Sequence, residues 1–472
     1  MKNHAFRRRS WIGSIAQLTA YALPNLSIGM LVLPAATIIP SLYIKERELA
    51  PAVVGLILMV TRIFDAVADQ VIGYLSDLTK TRLPGGRKAW LILGALVAIP
   101  SVHFLFAPPA AVGPTYFAFW SIAVYAAWAM LLIPYSAWGA ELSRDYNERT
   151  RIVTARSIAG QLGSLMFLAT PAILMALRLA PSTEVNLHAA SYVALALIVL
   201  LPLTIVPAVC VVPQGVPQLG SAPADLRSAI RSLVRNRPLQ IYLSAFLISE
   251  IGYGFFATAI FFYIDAFLQS GDKFIYVIFL ANVAMLLSMP VWERVCHYFG
   301  KKTGWALSWI LQSVSLLAII LVPRGHGGFL PATVLICINS IFAGAALVIA
   351  PSILGDIVDY DTCKSGGYHA GNYFALYSLT IKLVVAVGGG LALVLLGWFH
   401  YNVRTPAANG TAANSGMIFV FAVAPALFRF LGLGILWLYP LDERCQRIIR
   451  TRLQQRETRA ARNKSLAANM SA

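Results

Sequence analysis

Three charged residues, Arg62, Asp65 and Asp69, lie inside the apolar run Val53–Leu78 (VVGLILMVTRIFDAVADQVIGYLSDL). On a helix, offsets of three and seven place all three on one face. An ionised side chain at the centre of a bilayer costs about 2.5–3.5 kcal/mol on insertion scales. Three on one helix are therefore expected to face a polar cavity, where they pair with one another or hold an ion. Two carboxylates at i and i+4 can give oxygen ligands to Na⁺ or share a proton. The bland alternative is an internal salt bridge, with Arg62 as counter-ion, that does no more than fix helix packing.

The elements that must position them are membrane helices. Of the 472 residues 58% are hydrophobic and 12% charged, where a soluble domain is about a quarter charged. Mean hydropathy is +0.71. The soluble enzyme classes are excluded. Apolar runs of about 20 residues, the length that spans a bilayer, fall near 12–38, 51–76, 89–107, 114–139, 155–177, 189–212, 239–268, 274–292, 304–322, 329–355, 371–399 and 416–440. Pro24, Pro34, Pro134 and Gly388–Gly390 are breakers within them, and Pro134 is expected to kink the fourth. Sorting Lys and Arg by side puts 27 of 37 at the two termini and in the loops after even-numbered spans, against 6 in the other loops. This bias orients both termini to the cytoplasm. The net charge of +17 thus reads as an insertion signal, with the tail Arg444–Lys464 able to meet anionic headgroups, and not as a nucleic-acid footprint. The basic N-terminus followed by a long apolar run reads as an uncleaved first helix, not a signal peptide. Five cysteines show no disulfide or metal spacing.

The longest inside loop, about 213–238, divides the spans six and six. That symmetry suggests the parallel duplication of major facilitator transporters. Gly73-Tyr-Leu-Ser-Asp77, with Lys80, Arg82 and then Arg87-Lys88 after it, resembles the cytoplasmic signature of that superfamily: a small residue for close packing, then an acid that can bridge basic groups on the facing half when the inside gate is shut. Further charges sit near the same side. Glu141 and Arg149 flank the loop after span four, and Asp356 and Asp359 are one turn apart near the end of span ten, where the bland reading, a helix-end acid pair contacting loop arginines, is favoured for Asp361 and slightly for Asp359. Arg156 opens span five. Lys382 lies mid-membrane in span eleven and needs a counter-charge, for which the span-two acids are candidates. Glu250 and Arg429, mid-span in seven and twelve, read first as structural charges.

Three stretches carry a family resemblance: RIFDAVADQVIGYLSD, IPYSAWGAELSRDYNERTRI and LGDIVDYDTCKSGGYHAGNYFALYSLTIK. They resemble the glycoside–pentoside–hexuronide:cation symporters, the melibiose permease relatives within the major facilitator superfamily. The resemblance implies that Asp65 and Asp69 are the cation-site carboxylates, that Lys382 stands beside that site, and that Arg156 is tied to substrate. It places the solute at the midplane between the halves, near Asn25, Tyr125, Trp128 and Arg156. Departures are equally informative. Ala68 stands where sodium-coupled members carry Asn, and Ala129 where they carry a hydroxyl. Asn25 and Leu132 replace two acids that galactoside carriers use. Fewer oxygen ligands tilt the expectation towards H⁺.

The resulting expectation is an all-α membrane protein of twelve spans in two six-helix halves, 1–212 and 239–440, with a cytoplasmic central loop 213–238 and a basic cytoplasmic tail 441–472. It is expected to work as a monomer in a plasma membrane, bacterial inner membrane by resemblance, among membrane lipids and without nucleic acid. Its function is expected to be symport of a small polar solute (a sugar, glycoside or uronide) with H⁺ or Na⁺ by alternating access. Arg62, Asp77, Glu141, Arg149, Asp356 and Asp359 form the gating and structural charge set. Two rivals are a lysophospholipid carrier of the same fold and a transport-inactive sensor or scaffold. No catalytic nucleophile, metal site or cofactor is expected, and the absence of GxxxxGK[ST] excludes a Walker-type ATP site.

Overall fold

The computed structural model describes residues 14–35, 39–82, 85–143, 145–179, 186–214, 234–365, 370–401 and 409–471, and every regular element among them is helical. They fall in two compact units. The first holds Met1–Ser232, Val358–Ala375 and Gln446–Ala472; the second holds Leu233–Ile357 and Leu376–Cys445.

The first unit begins with α1 (Ile15–Ala22) and α2 (Pro24–Leu33), followed by α3 (Ile39–Glu46) and the long α4 (Pro51–Arg82). Next come α5 (Gly86–Phe106), α6 (Pro114–Leu142), α7 (Tyr146–Ala176) and α8 (Leu187–Val211). The first expected span is thus broken at Pro24, which has no N–H to continue the ladder and is favoured at the first helical position. Pro134, by contrast, lies inside an unbroken α6. Starts are written locally. Ser14 accepts from the Gln17 amide, Asp145 from those of Asn147 and Glu148, and Asn186 from that of Ala189. Where α5 meets α8, Lys88 Nζ donates to the carbonyl of Val209 at 2.7 Å and to that of Val212 at 2.5 Å, placing a cation on the negative end of α8. A buried aromatic set, Tyr21, Tyr135 and Trp138, joins α1 to α6.

In the second unit α9 (Arg237–Phe262) runs on through a π turn at Tyr263–Phe267, and is capped by Asn236 on the Leu239 amide. It is followed by α10 (Phe274–Phe299), α11 (Lys301–Ala318), α12 (Phe329–Ser365), α13 (Ala370–Trp398), α14 (Thr411–Ile418) and α15 (Ala424–Leu436). The last residues of α12 and the first turn of α13 belong to the first unit. An inner layer of Tyr242, Trp305 and Trp309 is fully buried, with Tyr242 donating to the Ala350 carbonyl at 2.9 Å.

Ten helices among the described residues are long and apolar enough to cross a membrane; α1–α2 and α4 occupy the first and second expected spans. Several helices outrun the apolar signal. α4 continues to Arg82, α10 to Phe299 and α12 to Ser365. Hydropathy marks the stretch that lipid covers, whereas the backbone ladder continues into polar sequence without penalty. The tail is also structured: α16 (Glu443–Ser471) is a helix whose start is capped by Asp442 on the Cys445 amide at 2.8 Å.

One close approach in the second unit has no room for a side chain. A Cβ on Gly254 of α9 would stand 2.7 Å from the Val384 carbonyl and 2.9 Å from the Gly388 Cα of α13. Gly254→Leu is expected to cost about 1–3 kcal/mol through overpacking, read as a lower unfolding temperature of the detergent-solubilised protein. Leu on Gly390, where nothing stands within 4 Å, should leave that temperature unchanged.

Candidate functional site

The acid pair of α4 is deeply enclosed. Asp65 and Asp69 are 1% and 2% exposed. The wall beside them is apolar: Ala68 and Ile72 of α4 pack with Ala129 and Ile133 of α6 and with Ala375. Ala68 and Ala129, from two different helices, therefore lie in one hydrophobic cluster.

Arg62 departs from the expectation. Among the described residues it makes no ion pair with the acids, and its guanidinium carbon lies 5.0 Å from the ring centroid of Tyr125 on α6. Its contact is thus a cation–π one. Tyr125 is buried, and its ring is 5.7 Å from that of the half-buried Trp128.

Arg156 on α7 donates from Nη1 to Ser136 Oγ at 2.7 Å and lies 5.7 Å over the Tyr135 ring. Asn25 on α2 gives its amide nitrogen to the Arg156 carbonyl at 2.8 Å. Asn25, expected as a solute contact, thus has its donor committed to holding α2 on α7. Asn25, Tyr125, Trp128, Arg156 and the acid pair all belong to the first unit. Lys382 is half-buried on α13 in the second. Glu250 of α9 and the buried Arg429 of α15 feel each other's charge within the second unit.

A second cluster lies at the end of the helices that the basic residues assign to the cytoplasm. Its centre is Arg87, 3% exposed, which the sequence places in the signature loop without assigning it a partner. It donates to Asp77 Oδ1 at 2.6 Å, Glu141 Oε1 at 2.7 Å and Ser76 Oγ at 2.6 Å. The legible signal was its position ten residues beyond Asp77, on the return of a helical hairpin. Asp77 also accepts from the Gly371 amide at 2.9 Å and the Asn372 amide at 3.3 Å. It therefore caps the positive start of α13 from a different helix. Gly73 permits this, since a Cβ there would lie 2.8 Å from the Gly371 carbonyl.

Nearby, Arg149 Nη2 donates to Asp359 Oδ2 at 2.6 Å and to the carbonyls of Ser143 and Ala140 at 3.1 and 3.3 Å. Gln446 of α16 reaches the same Asp359 oxygen at 3.4 Å, and Arg450 donates to Asp145 at 2.7 Å. Asp356 pairs with Lys301 at the start of α11, at 2.6 Å within the second unit. Burial alone would raise the Asp145 carboxyl. Hydrogen bonds from the Glu148 amide and Arg450, the Arg450 charge and the Asn147 amide outweigh it and hold the group below its usual 3.8.

Among the described residues no group of three or more His, Cys, Asp or Glu could hold a metal ion.

Residues 20–443 match the family described as MFS/sugar transport protein. The chain is 25% identical over 446 residues to the glucuronide carrier protein homolog of Escherichia coli K12, covering 90% of this chain and 93% of that one. It is 21% identical over 433 residues to sodium-dependent lysophosphatidylcholine symporter 1 of Xenopus tropicalis, covering 84% and 81%. Among solved structures it resembles the Escherichia coli fucose:proton symporter, with a TM-score of 0.64 at 13% identity, covering 92% of this chain and all of that one.

Two outcomes follow from the charge clusters. Asp359→Asn leaves Arg149 buried without its partner and should lower stability by about 3–5 kcal/mol. Adding Arg149→Met should recover part of that loss, so that the double variant unfolds at a higher temperature than the single one. The Asp145–Arg450 contact, about 30% exposed on each side, contributes under about 1 kcal/mol. Because the folded carboxyl is held below 3.8, that contribution is complete at neutral pH and is lost as pH falls below 3.8 through the folded value. A spin label at Gln455 should report α16 docked at pH 7 and increasingly mobile below that value, and Asp145→Asn should loosen it at pH 7 and flatten the pH dependence.

Proposed function

The chain belongs to the MFS/sugar transport protein family, and on that premise we propose that it is a proton-coupled symporter that carries a small polar solute by alternating access. It is a multi-pass plasma-membrane transporter and not an enzyme. The observation that carries the choice of ion is the pairing of two nearly inaccessible carboxylates with an apolar wall. A proton needs one carboxylate oxygen. Sodium needs several oxygen ligands, and Ala68 and Ala129 supply none from their side chains. Asp65 and Asp69 are the proposed proton carriers, and Lys382 is the basic member of the coupling set. Arg156, held by Ser136 and braced through Asn25, is the proposed solute contact, with Tyr125 and Trp128 as its aromatic neighbours on α6. A sugar derivative such as a glycoside or uronide is the proposed solute, in keeping with the carrier and symporter names of the relatives.

A lysophospholipid is the second reading. It is favoured by the lysophosphatidylcholine symporters, which match over four-fifths of their length. Those relatives are named as sodium-dependent, so the ion test also separates the two readings.

In proteoliposomes, accumulation should follow an imposed pH gradient, collapse with a protonophore and ignore Na⁺. Asp65→Asn and Asp69→Asn should each abolish accumulation against a gradient. Undiminished accumulation in both variants would overturn the proton role. Ala68→Asn with Ala129→Thr restores two side-chain oxygens and is expected to make binding Na⁺-responsive, read by thermal unfolding with and without the ion.

A further inference from the structure

Arg62 shares a helix face with the acid pair but not its fate. The exposed apolar residues Leu56, Met59, Val60, Ile63, Val67 and Val71 form one stripe along α4. At about 100° per residue, Asp65 and Asp69 lie on the side away from that stripe, and Arg62 lies within about 60° of both. Its exposed guanidinium is thus turned from the surface that meets lipid, where a charge would be costly.

The contrast with other arginines of the first unit is chemical. Arg87, Arg149 and Arg156 each donate hydrogen bonds to protein oxygens. Arg62 donates none among the described residues; its contact is the face of Tyr125. Tyr125 is itself 2% exposed and set by Trp128. A cation held over an aromatic ring gives none of its N–H donors to a protein oxygen through that contact. An uncommitted guanidinium fork matches a carboxylate or phosphate in bidentate geometry.

We propose that Arg62, held over the ring of Tyr125, is the receptor for an oxyanionic group of the transported solute, a carboxylate or a phosphate. This rests on the symporter reading above and narrows its substrate class to anionic solutes. It also sets the charge balance of transport. One monoanion entering with one proton moves no net charge, so uptake responds to the pH gradient and not to the membrane potential.

The full-length protein in proteoliposomes tests this with two matched pairs: methyl glucuronide against methyl glucoside, and lysophosphatidylglycerol, a phosphodiester monoanion, against monoacylglycerol. The expected result is that one pair shows uptake of the charged member, exceeding the neutral one by about 10- to 100-fold, the range that hydrogen bonds to a charged group supply. Which pair does so identifies carboxylate or phosphate. Arg62→Gln should bring that ratio close to one. Arg62→Lys, which keeps the charge without the fork, should leave an intermediate ratio, and Tyr125→Leu should lower it while Tyr125→Phe keeps it. An unchanged ratio in Arg62→Gln, or equal uptake of charged and neutral members by the unaltered protein, overturns the proposal and leaves symport standing. Uptake of none of the four overturns symport and this assignment together.

Discussion

A charge removed from water must find a partner, and that requirement shapes the first unit from its surface to its centre. Several kcal/mol per ion are lost on burial unless opposite charge and hydrogen bonds replace the water. Arg87 meets this with two carboxylates and a hydroxyl, and Arg149 with Asp359 and two backbone carbonyls. Asp77 is matched by a guanidinium on one side and by the amides of a helix start on the other. Because those amides begin α13, the position of one carboxylate decides where a helix nearly three hundred residues later can start.

The interior of α4 treats the same requirement differently. Its acids are enclosed beside alanines and isoleucines, and the arginine one turn away lies over an aromatic ring. Low dielectric near a carboxylate makes the free energy of the ionised and protonated forms depend strongly on what stands nearby. That sensitivity suits a group whose protonation is to be exchanged, and it is useless for a group whose purpose is to hold helices together. The cluster around Arg87 is thus saturated with hydrogen bonds, and the proton role proposed for the acid pair of α4 rests on its enclosure beside apolar side chains.

Much of this was legible in the chain. Offsets of three and seven placed Asp65 and Asp69 on one face, and Gly73 before Asp77 announced a close crossing followed by a bridging acid. The spacing of apolar runs located the spans, though it stopped short of the helix ends at Arg82 and Ser365, since hydropathy reports lipid and not helix. Other assignments were invisible. Nothing along the chain announces that Arg62 meets Tyr125, sixty residues on, or that the Asn25 amide holds α2 on α7. Lys301 is the basic group that packing brings within reach of Asp356. The tail, polar and basic in sequence, is a helix that packs Ile449 and Leu453 into the protein.

The amino-acid sequence by itself determined what is local: which segments are apolar enough for lipid, which side carries the positive charge, which residues share a helix face, and which side chains cap the helices that follow them. These depend on interactions within a few residues or on transfer from water to lipid, and both can be read along the chain. Only the tertiary structure decided which partner each charge took, which face was enclosed, and that two alanines from different helices form one apolar wall beside the carboxylates. Those outcomes are competitions among groups far apart in the chain. Helix packing settles them by bringing some groups within hydrogen-bond distance and leaving others out of reach.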